Sequence, residues 1–378
     1  MEYFGTESNL RNLILNTKKP LIIRNKIKSS IVNWDLYYWK KIIKNELLTF
    51  RCGKNKFTKE PQWESRCSTK VATFQEFINQ SNSNIEEWWY FDYKYLRDWF
   101  SSNTELKKNI SWSELGFPEI TVEDTTIWIG SKGAHTPCHI DTYGCNMVLQ
   151  TFGSKLWLLF PPEENLRPSR VPYEESSIYS KINFFSPDIS ILKDIGHCYK
   201  VILNPGDVLI VPNRWWHYVE NLEFAISINT WLPLPTDNVE HIKECITAIL
   251  VGGIINTQEH NFKRFALNPN MIEGMVNTTD ALNILKNKLT ESQSGHGKLT
   301  EHETKKIQDF SESCDFIIGL EELSGEDLKN CIKQQSQRFP IEKEDNIKNS
   351  YKDISDFLEA VTDPEVVSLI AKKISEKV

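Results

Sequence analysis

The chain has no run near the roughly 18 consecutive apolar residues that a bilayer-spanning helix needs, and its opening Met-Glu-Tyr-Phe-Gly-Thr-Glu lacks a basic-then-apolar export pattern. The expectation is a soluble, cytoplasmic protein with no membrane contact; a nuclear pool stays open. Paired cysteines are missing too. The eight cysteines, at 52, 67, 138, 145, 198, 245, 314 and 331, include no Cys-x-x-Cys, which argues against a zinc ribbon or disulfide exchange and agrees with a reducing compartment. No internal repeat, zinc finger or PHD-like Cys/His cluster is present. A chromatin-reading module is therefore not expected.

What the chain does have is 378 residues, 40% of them apolar, and a net charge of −7. That is enough for a sizeable core and for two or three domains. The acidic total hides an asymmetry. Residues 1 to 56 hold 12 basic and 4 acidic side chains, a net +8, so the remainder carries −15. This basic arm fits an acidic partner such as RNA, but its lysines are interleaved with Leu21, Ile22, Trp34 and Trp39, which favours a solvated helix and loop surface.

Three regions differ in pattern. Residues 1 to 120 mix elements: a short apolar run at Leu21 to Ile23, helical spacing at Trp39, Ile42, Ile43 and Leu47, and an aromatic run from Trp88 to Tyr93 expected to form a core or interface layer rather than a base-stacking platform. Residues 121 to 235 read as short antiparallel β segments with period-2 alternation and Gly, Pro and Asn turns. Lys155, Trp157 and Leu159 share one strand face before Pro161-Pro162 stops the ladder, and Asn204-Pro205-Gly206-Asp207 turns into a strand at Val208 to Val211. In the segment from Phe224 to Trp231, the apolar Phe224, Ile226 and Ile228 alternate with Ala225, Ser227 and Asn229, a small, polar face suited to lining a site. Residues 236 to 378 read as helical. Val239, Ile242, Ile246, Ile249 and Leu250 mark one amphipathic helix, 291 to 305 a polar loop, and Asp363-Pro364-Glu365 the start of a last helix with a Val366, Ile370, Ile374, Val378 stripe.

The segment with chemistry is Thr136-Pro137-Cys138-His139-Ile140-Asp141. A strand projects alternate side chains to one face and so brings His139 and Asp141 together. His217, just after the strand at 208 to 211, can supply a third ligand if these strands share a closed sandwich. Two neutral imidazoles and one carboxylate on one side of an octahedral ion leave three positions open, the arrangement of non-haem Fe(II) oxygen chemistry. A lone His-x-Asp is more often structural, so its neighbours decide.

Those neighbours are Lys155-Leu156-Trp157 with Pro161-Pro162, then Pro205-Gly206-Asp207 before His217. With His139-Ile140-Asp141 they resemble the JmjC family of Fe(II)- and 2-oxoglutarate-dependent oxygenases, over residues 15 to 235 and including the Lys19 to Arg24 opening. The resemblance implies a mainly β fold with helical additions: a double-stranded β-helix, or jelly roll, cupin-like at its core (121 to 235), completed by an α/β region (1 to 120) and followed by helices. It implies His139, Asp141 and His217 as Fe(II) ligands, Lys155 as partner of the distal carboxylate of 2-oxoglutarate, and Thr136 as a hydroxyl donor to that carboxylate. Asn146 and Asn229 match pocket-lining positions, although one residue more separates Asp141 from Lys155 than in the asparaginyl-hydroxylase branch.

The plainer readings stand beside these. Lys155 also fits an edge-strand lysine that blocks aggregation, and Asn229 a satisfied buried amide. His135 fits an exposed loop residue better than a fourth ligand. Cys138 and Cys145 fit small strand hydrophobes, and Trp215 and Trp216 fit packing residues, one of which could shape the substrate mouth.

By resemblance, O2 and 2-oxoglutarate are cosubstrates, and the chain is nearest the small JmjC-only hydroxylases. Among possible substrates a protein side chain ranks first, a tRNA base second and methylated lysine, by demethylation, third. Residues 89 to 94 are further similar to a subgroup associated with a small heat-shock protein, which implies such a partner and keeps open a different class of function, an interaction protein on a JmjC scaffold. The helices after 236 could close over the β domain or pair two protomers, and a homodimer is expected.

Overall fold

The computed structural model describes residues 6–83, 85–268, 276–291, 300–340 and 351–377. Four strands come first: β1 (Leu21–Ile23), β2 (Leu47–Lys54), β3 (Ser68–Thr73) and β4 (Glu87–Tyr95). Ten follow: β5 (Thr126–Gly130), β6 (His135–Asp141), β7 (Cys145–Phe152), β8 (Lys155–Phe160), β9 (Pro168–Glu174), β10 (Ser177–Ser180), β11 (Tyr199–Leu203), β12 (Val208–Val211), β13 (Trp216–Asn221) and β14 (Ala225–Leu232). A short β15 (Ile317–Gly319) lies in the C-terminal region. They form two antiparallel sheets, one of nine strands in the order β15-β1-β12-β7-β14-β5-β4-β2-β3 and one of six in the order β11-β8-β13-β6-β10-β9. Together they make the jelly roll expected from the sequence, with helical additions.

Alternation along each strand divides the side chains between layers. The outer face of the large sheet carries Met147, Leu149, Val208, Ile210, Ile226 and Ile228, which are buried under Leu10, Leu13, Trp39 and Ile43 of the N-terminal helices. The outer face of the small sheet carries Cys138, Ile140, Leu156, Leu158, Trp216 and Tyr218, covered by Phe184, Phe185 and helix Gly325–Ser336 through Leu328 and Ile332. A third cluster holds Val148, Trp157, Leu159, Leu209 and Val219. Each such buried aliphatic side chain contributes roughly 1.5–3 kcal/mol. Residues of the opposite parity on β5, β7 and β14, among them Trp128, Asn146, Ser227 and Asn229, line a pocket instead.

Several expectations are corrected here. Helix Leu36–Ile43 ends before Leu47, which opens β2 and is exposed. Lys44, at φ 60°, breaks the helix. The C-terminal region is not wholly helical, because Leu21, Ile22 and Ile23 pair with Gly319, Ile318 and Ile317. Three residues between polar segments give too short an alternation to be legible. The last helix, Pro364–Ser375, starts as expected: Asp363 accepts from Glu365 N at 2.8 Å. Its packed face is Val367, Ile370, Ala371 and Ile374, while Val366 is exposed. Spacing of 3, 4 and 7 keeps one face toward the core, whereas repeated steps of four drift off it. Val378 and residues 292–299 of the polar segment lie outside the described residues; 301 to 305 belong to helix Glu301–Ser313, capped by Thr300. Among the described residues all eight cysteines are free, and no helix is long and apolar enough to cross a membrane.

One polar anchor fastens the C-terminal region to the core. Glu220, 2% exposed on β13, accepts hydrogen bonds from Arg338, from Tyr218 Oη at 2.7 Å and from Gln335 Nε2 at 3.4 Å. Arg338 also donates to Phe185 O at 2.6 Å. Removing one partner strands a buried carboxylate, so Arg338→Met is expected to destabilise by about 3 kcal/mol, and adding Glu220→Gln to recover most of it. Urea unfolding of the three proteins checks this, and a single-variant loss below about 1 kcal/mol would reject the anchor.

Candidate metal and cosubstrate site

His139 and Asp141 project from β6 into the space between the sheets, and His217 from β13 stands in register opposite His139. The three offer ligand atoms that all lie within 4.8 Å of one another. The imidazole centroids are 4.2 Å apart. His139 Nε2 is 3.6 Å from Asp141 Oδ1, and His217 Nε2 is 3.9 Å from Asp141 Oδ2. Both rings are oriented from behind: His139 Nδ1 donates to Pro137 O at 2.9 Å and His217 Nδ1 to Trp215 O at 3.0 Å. Each therefore presents the unprotonated Nε2 inward, as a ligand must. Burial, reinforced by the neighbouring His217, pushes His139 down to about 4, so it is neutral at physiological pH.

Thr136 and His139 are three residues apart and would face opposite ways on a regular strand. The ladder between β6 and β13 shifts register, with His217 opposite His139 but Val219 opposite Thr136. This bulge places both side chains in the same pocket. Lys155, 1% exposed on β8, reaches in from the adjacent strand. Its ammonium donates to Tyr90 Oη at 3.2 Å and has no carboxylate partner among the described residues. Burial pushes it down to about 7, opposed by Asp92. Asp92 is itself paired with Arg51 at 2.7 Å.

Opposite Lys155 runs an amide chain. Asn229 Nδ2 donates to Asn146 Oδ1 at 2.8 Å, and Asn229 Oδ1 accepts from Trp128 Nε1 at 2.7 Å and from Thr126 Oγ1. Asn229 thus lines the pocket, and both of its side-chain polar atoms have protein partners. Asn146 Nδ2 reaches Asp141 Oδ2 at 3.4 Å, and Trp231 Nε1 donates to the same oxygen at 2.9 Å. The pocket has a cavity volume of about 40 Å³ and is lined by all seven sequence-derived residues except Asp141, together with Tyr90, Trp128, Val148, Trp157, Val219, Ser227 and Trp231. A larger cavity of about 310 Å³ lies between β9, β10 and the C-terminal helices. Its cations are already matched, as in Arg170 with Glu244 at 2.5 Å and Lys181 with Glu359 at 3.2 Å.

Tyr90, Trp128 and Trp231 were not singled out by sequence. An aromatic on a strand normally signals packing, and only alternation carried one strand further, with Trp231 two residues beyond Asn229, points to the pocket. His135 is corrected. It stands 1% exposed at the start of β6, stacked on Phe185 at 4.1 Å, outside the ligand group and kept neutral by burial, which lowers it to about 3. Cys138 and Cys145 are buried strand hydrophobes, and Trp215 and Trp216 are buried packing residues.

An oxygen-and-nitrogen donor set without thiolate, with both imidazoles already oriented, fits Fe(II). When bound, the ion supplies the activation of O2 and a chelation point for a 2-oxo acid. A jelly roll holding two histidines and an aspartate on neighbouring strands of one sheet beside a buried lysine is the construction of a JmjC-type cupin. Residues 7–237 match the family described as cupin-like domain, and the chain belongs to that family.

Among curated proteins it is 38% identical to human HSPB1-associated protein 1 over 281 residues, which is 70% of this chain and 58% of that protein. It is 29% identical to zebrafish lysine-specific demethylase 8 over 234 residues, 58% of this chain and 55% of that protein. It is 25% identical to mouse 2-oxoglutarate and iron-dependent oxygenase JMJD4 over 203 residues, 47% and 44% of the two chains. The chain thus spans under two thirds of the length of these relatives.

Proposed function

We propose that the chain is an Fe(II)- and 2-oxoglutarate-dependent oxygenase that hydroxylates a protein side chain. The observation that carries this reading is the juxtaposition of three clustered ligands, two of which line the pocket, with a buried lysine on the same pocket that has no carboxylate partner among the described residues. A buried ammonium without a carboxylate is costly unless an anionic ligand completes it, and 2-oxoglutarate brings a distal carboxylate. In the overall reaction a substrate C–H, O2 and 2-oxoglutarate give the C–OH product, succinate and CO2, one oxygen atom entering each of the first two. The chain's own contribution is to orient the 2-oxo acid through Lys155 and Thr136 and to enclose the reacting atoms away from water.

A protein substrate fits better than RNA because the basic N-terminal segment spends its arginines internally. Arg11 pairs with Glu119 at 2.6 Å, Arg24 with Asp207 at 3.2 Å, and Arg51 is buried against Asp92. The HSPB1-associated relatives make a small heat-shock protein the first candidate partner, as substrate or as bound protein. Incubation with Fe(II), 2-oxoglutarate, O2 and a small heat-shock protein is expected to form succinate and a +16 Da peptide. Succinate no higher than that of the His139→Ala, Asp141→Ala double variant would reject an oxygenase and favour a binding scaffold.

A further inference from the structure

We infer that Trp231 is a positioning residue that holds Asp141 as a one-oxygen ligand. This rests on the iron and 2-oxoglutarate reading of the site. A carboxylate can hold a metal through one oxygen or both. A second Asp141 oxygen on the ion would take one of the three positions that a chelating 2-oxo acid and O2 require.

The two oxygens of Asp141 are not equivalent. Oδ2 accepts from Trp231 Nε1 at 2.9 Å and from Asn146 Nδ2 at 3.4 Å. Oδ1 accepts no hydrogen bond among the described residues and faces His139 Nε2 at 3.6 Å. The shorter of these two bonds comes from Trp231. Trp231 sits on β14, opposite Asn146 in the β7 ladder, and its ring packs edge-on against Tyr93 at 5.5 Å and 65°. Turning Oδ2 toward the ion would break a charge-assisted bond.

The residue type matters as much as the distance. An indole N–H is a donor with no acceptor lone pair, so Trp231 can hold the carboxylate without competing for the metal. A histidine or carboxylate at the same place would add a ligand to the site. The role is invisible in sequence because a tryptophan on a β strand reads as packing.

Two substitutions separate the N–H from the ring. Trp231→Phe keeps an aromatic body and removes the donor; Trp231→Gln keeps an N–H donor of similar reach and removes the ring. Binding of Co(II), and then of 2-oxoglutarate to the Co(II)-loaded chain, is measured anaerobically, with the visible ligand-field spectrum recorded at each step and circular dichroism as the folding control. For Trp231→Phe we expect Co(II) affinity within about 3-fold of the parent, a changed Co(II) spectrum and roughly 10-fold weaker 2-oxoglutarate binding, about 1.4 kcal/mol. Trp231→Gln is expected to keep 2-oxoglutarate affinity within about 3-fold and the parental spectrum. A purely structural role predicts the reverse order, with Gln the more damaging. Parental spectrum and 2-oxoglutarate affinity in Trp231→Phe, or greater loss in Trp231→Gln, would overturn the inference alone. Failure of the parent chain to bind Co(II) would overturn the iron reading and this inference with it.

Discussion

Asp141→Ala is expected to lower Fe(II) affinity by more than about 100-fold while leaving the chain folded. Asp141 is the one anionic member of the triad, so its loss removes a ligand together with the charge that offsets the ion's own. Its loss leaves two imidazoles whose centroids are 4.2 Å apart. The groups it leaves behind, Trp231 Nε1 and the Asn146 amide, line the pocket and can turn to water. The melting temperature should therefore shift by only a few degrees. Anaerobic titration of Fe(II), or of Mn(II) as a stable substitute, gives the affinity, and circular dichroism the fold. Binding within about 5-fold of the parent would mean that the ion, if any, sits elsewhere.

The second large effect runs in two directions at once. Lys155→Met is expected to weaken 2-oxoglutarate binding by more than about 100-fold and to stabilise the empty protein. Loss of the ammonium leaves the cosubstrate's distal carboxylate buried and unpaired, and breaking such a pair costs about 3–5 kcal/mol. The stabilisation follows from burial, which holds Lys155 at about 7 against the ordinary 10.5. Because the folded value lies below the unfolded one, the unfolded chain binds the extra proton between those pH values, and burying the charged form disfavours folding.

That interval corresponds to about 5 kcal/mol as an upper bound, at roughly 1.4 kcal/mol per pH unit. A gain of at least about 2 kcal/mol is expected at pH 7 and below, shrinking toward zero as the pH rises to 10.5. The same displacement predicts that 2-oxoglutarate binding at pH 8 draws in about 0.9 proton, since the empty site is mostly neutral there and the carboxylate requires the charged form. Calorimetry in buffers of different ionisation enthalpy reads the proton count, and urea unfolding reads the stability. A destabilised variant, or parental cosubstrate affinity, would return Lys155 to the role of a structural lysine.

Much of this site is legible in the chain, for reasons that differ from residue to residue. His139 and Asp141 are two apart on a strand, so alternation alone places them on one face. His217 and Lys155 follow from the turn and strand signals around them. Asn146 and Asn229 lie on faces whose partners are apolar, and the contrast between Asn229 and its neighbours Ile226 and Ile228 is visible in sequence. Thr136 required a bulge that shifts the β6–β13 register, and nothing in Thr-Pro-Cys-His announces on which side the extra residue falls. The burial of His135 is not legible in sequence because the ring it stacks on, Phe185, is 50 residues away. Tyr90, Trp128 and Trp231 escaped because a phenol or indole in a strand carries the same signal whether it fills a core or holds a ligand.

The strand β15 has a practical meaning for anyone dissecting the protein. The family match stops at residue 237, yet the edge of β1 is closed by Ile317–Gly319, and the outer face of the small sheet is covered by helix Gly325–Ser336. A fragment cut at the family's limit would uncover an unpaired apolar edge and a greasy sheet face together, the two features that drive β proteins to self-associate. The family-matched segment and the unit whose apolar surfaces are covered are therefore different lengths of chain. The cupin-like core has its apolar edge and sheet face covered by the segment that follows it.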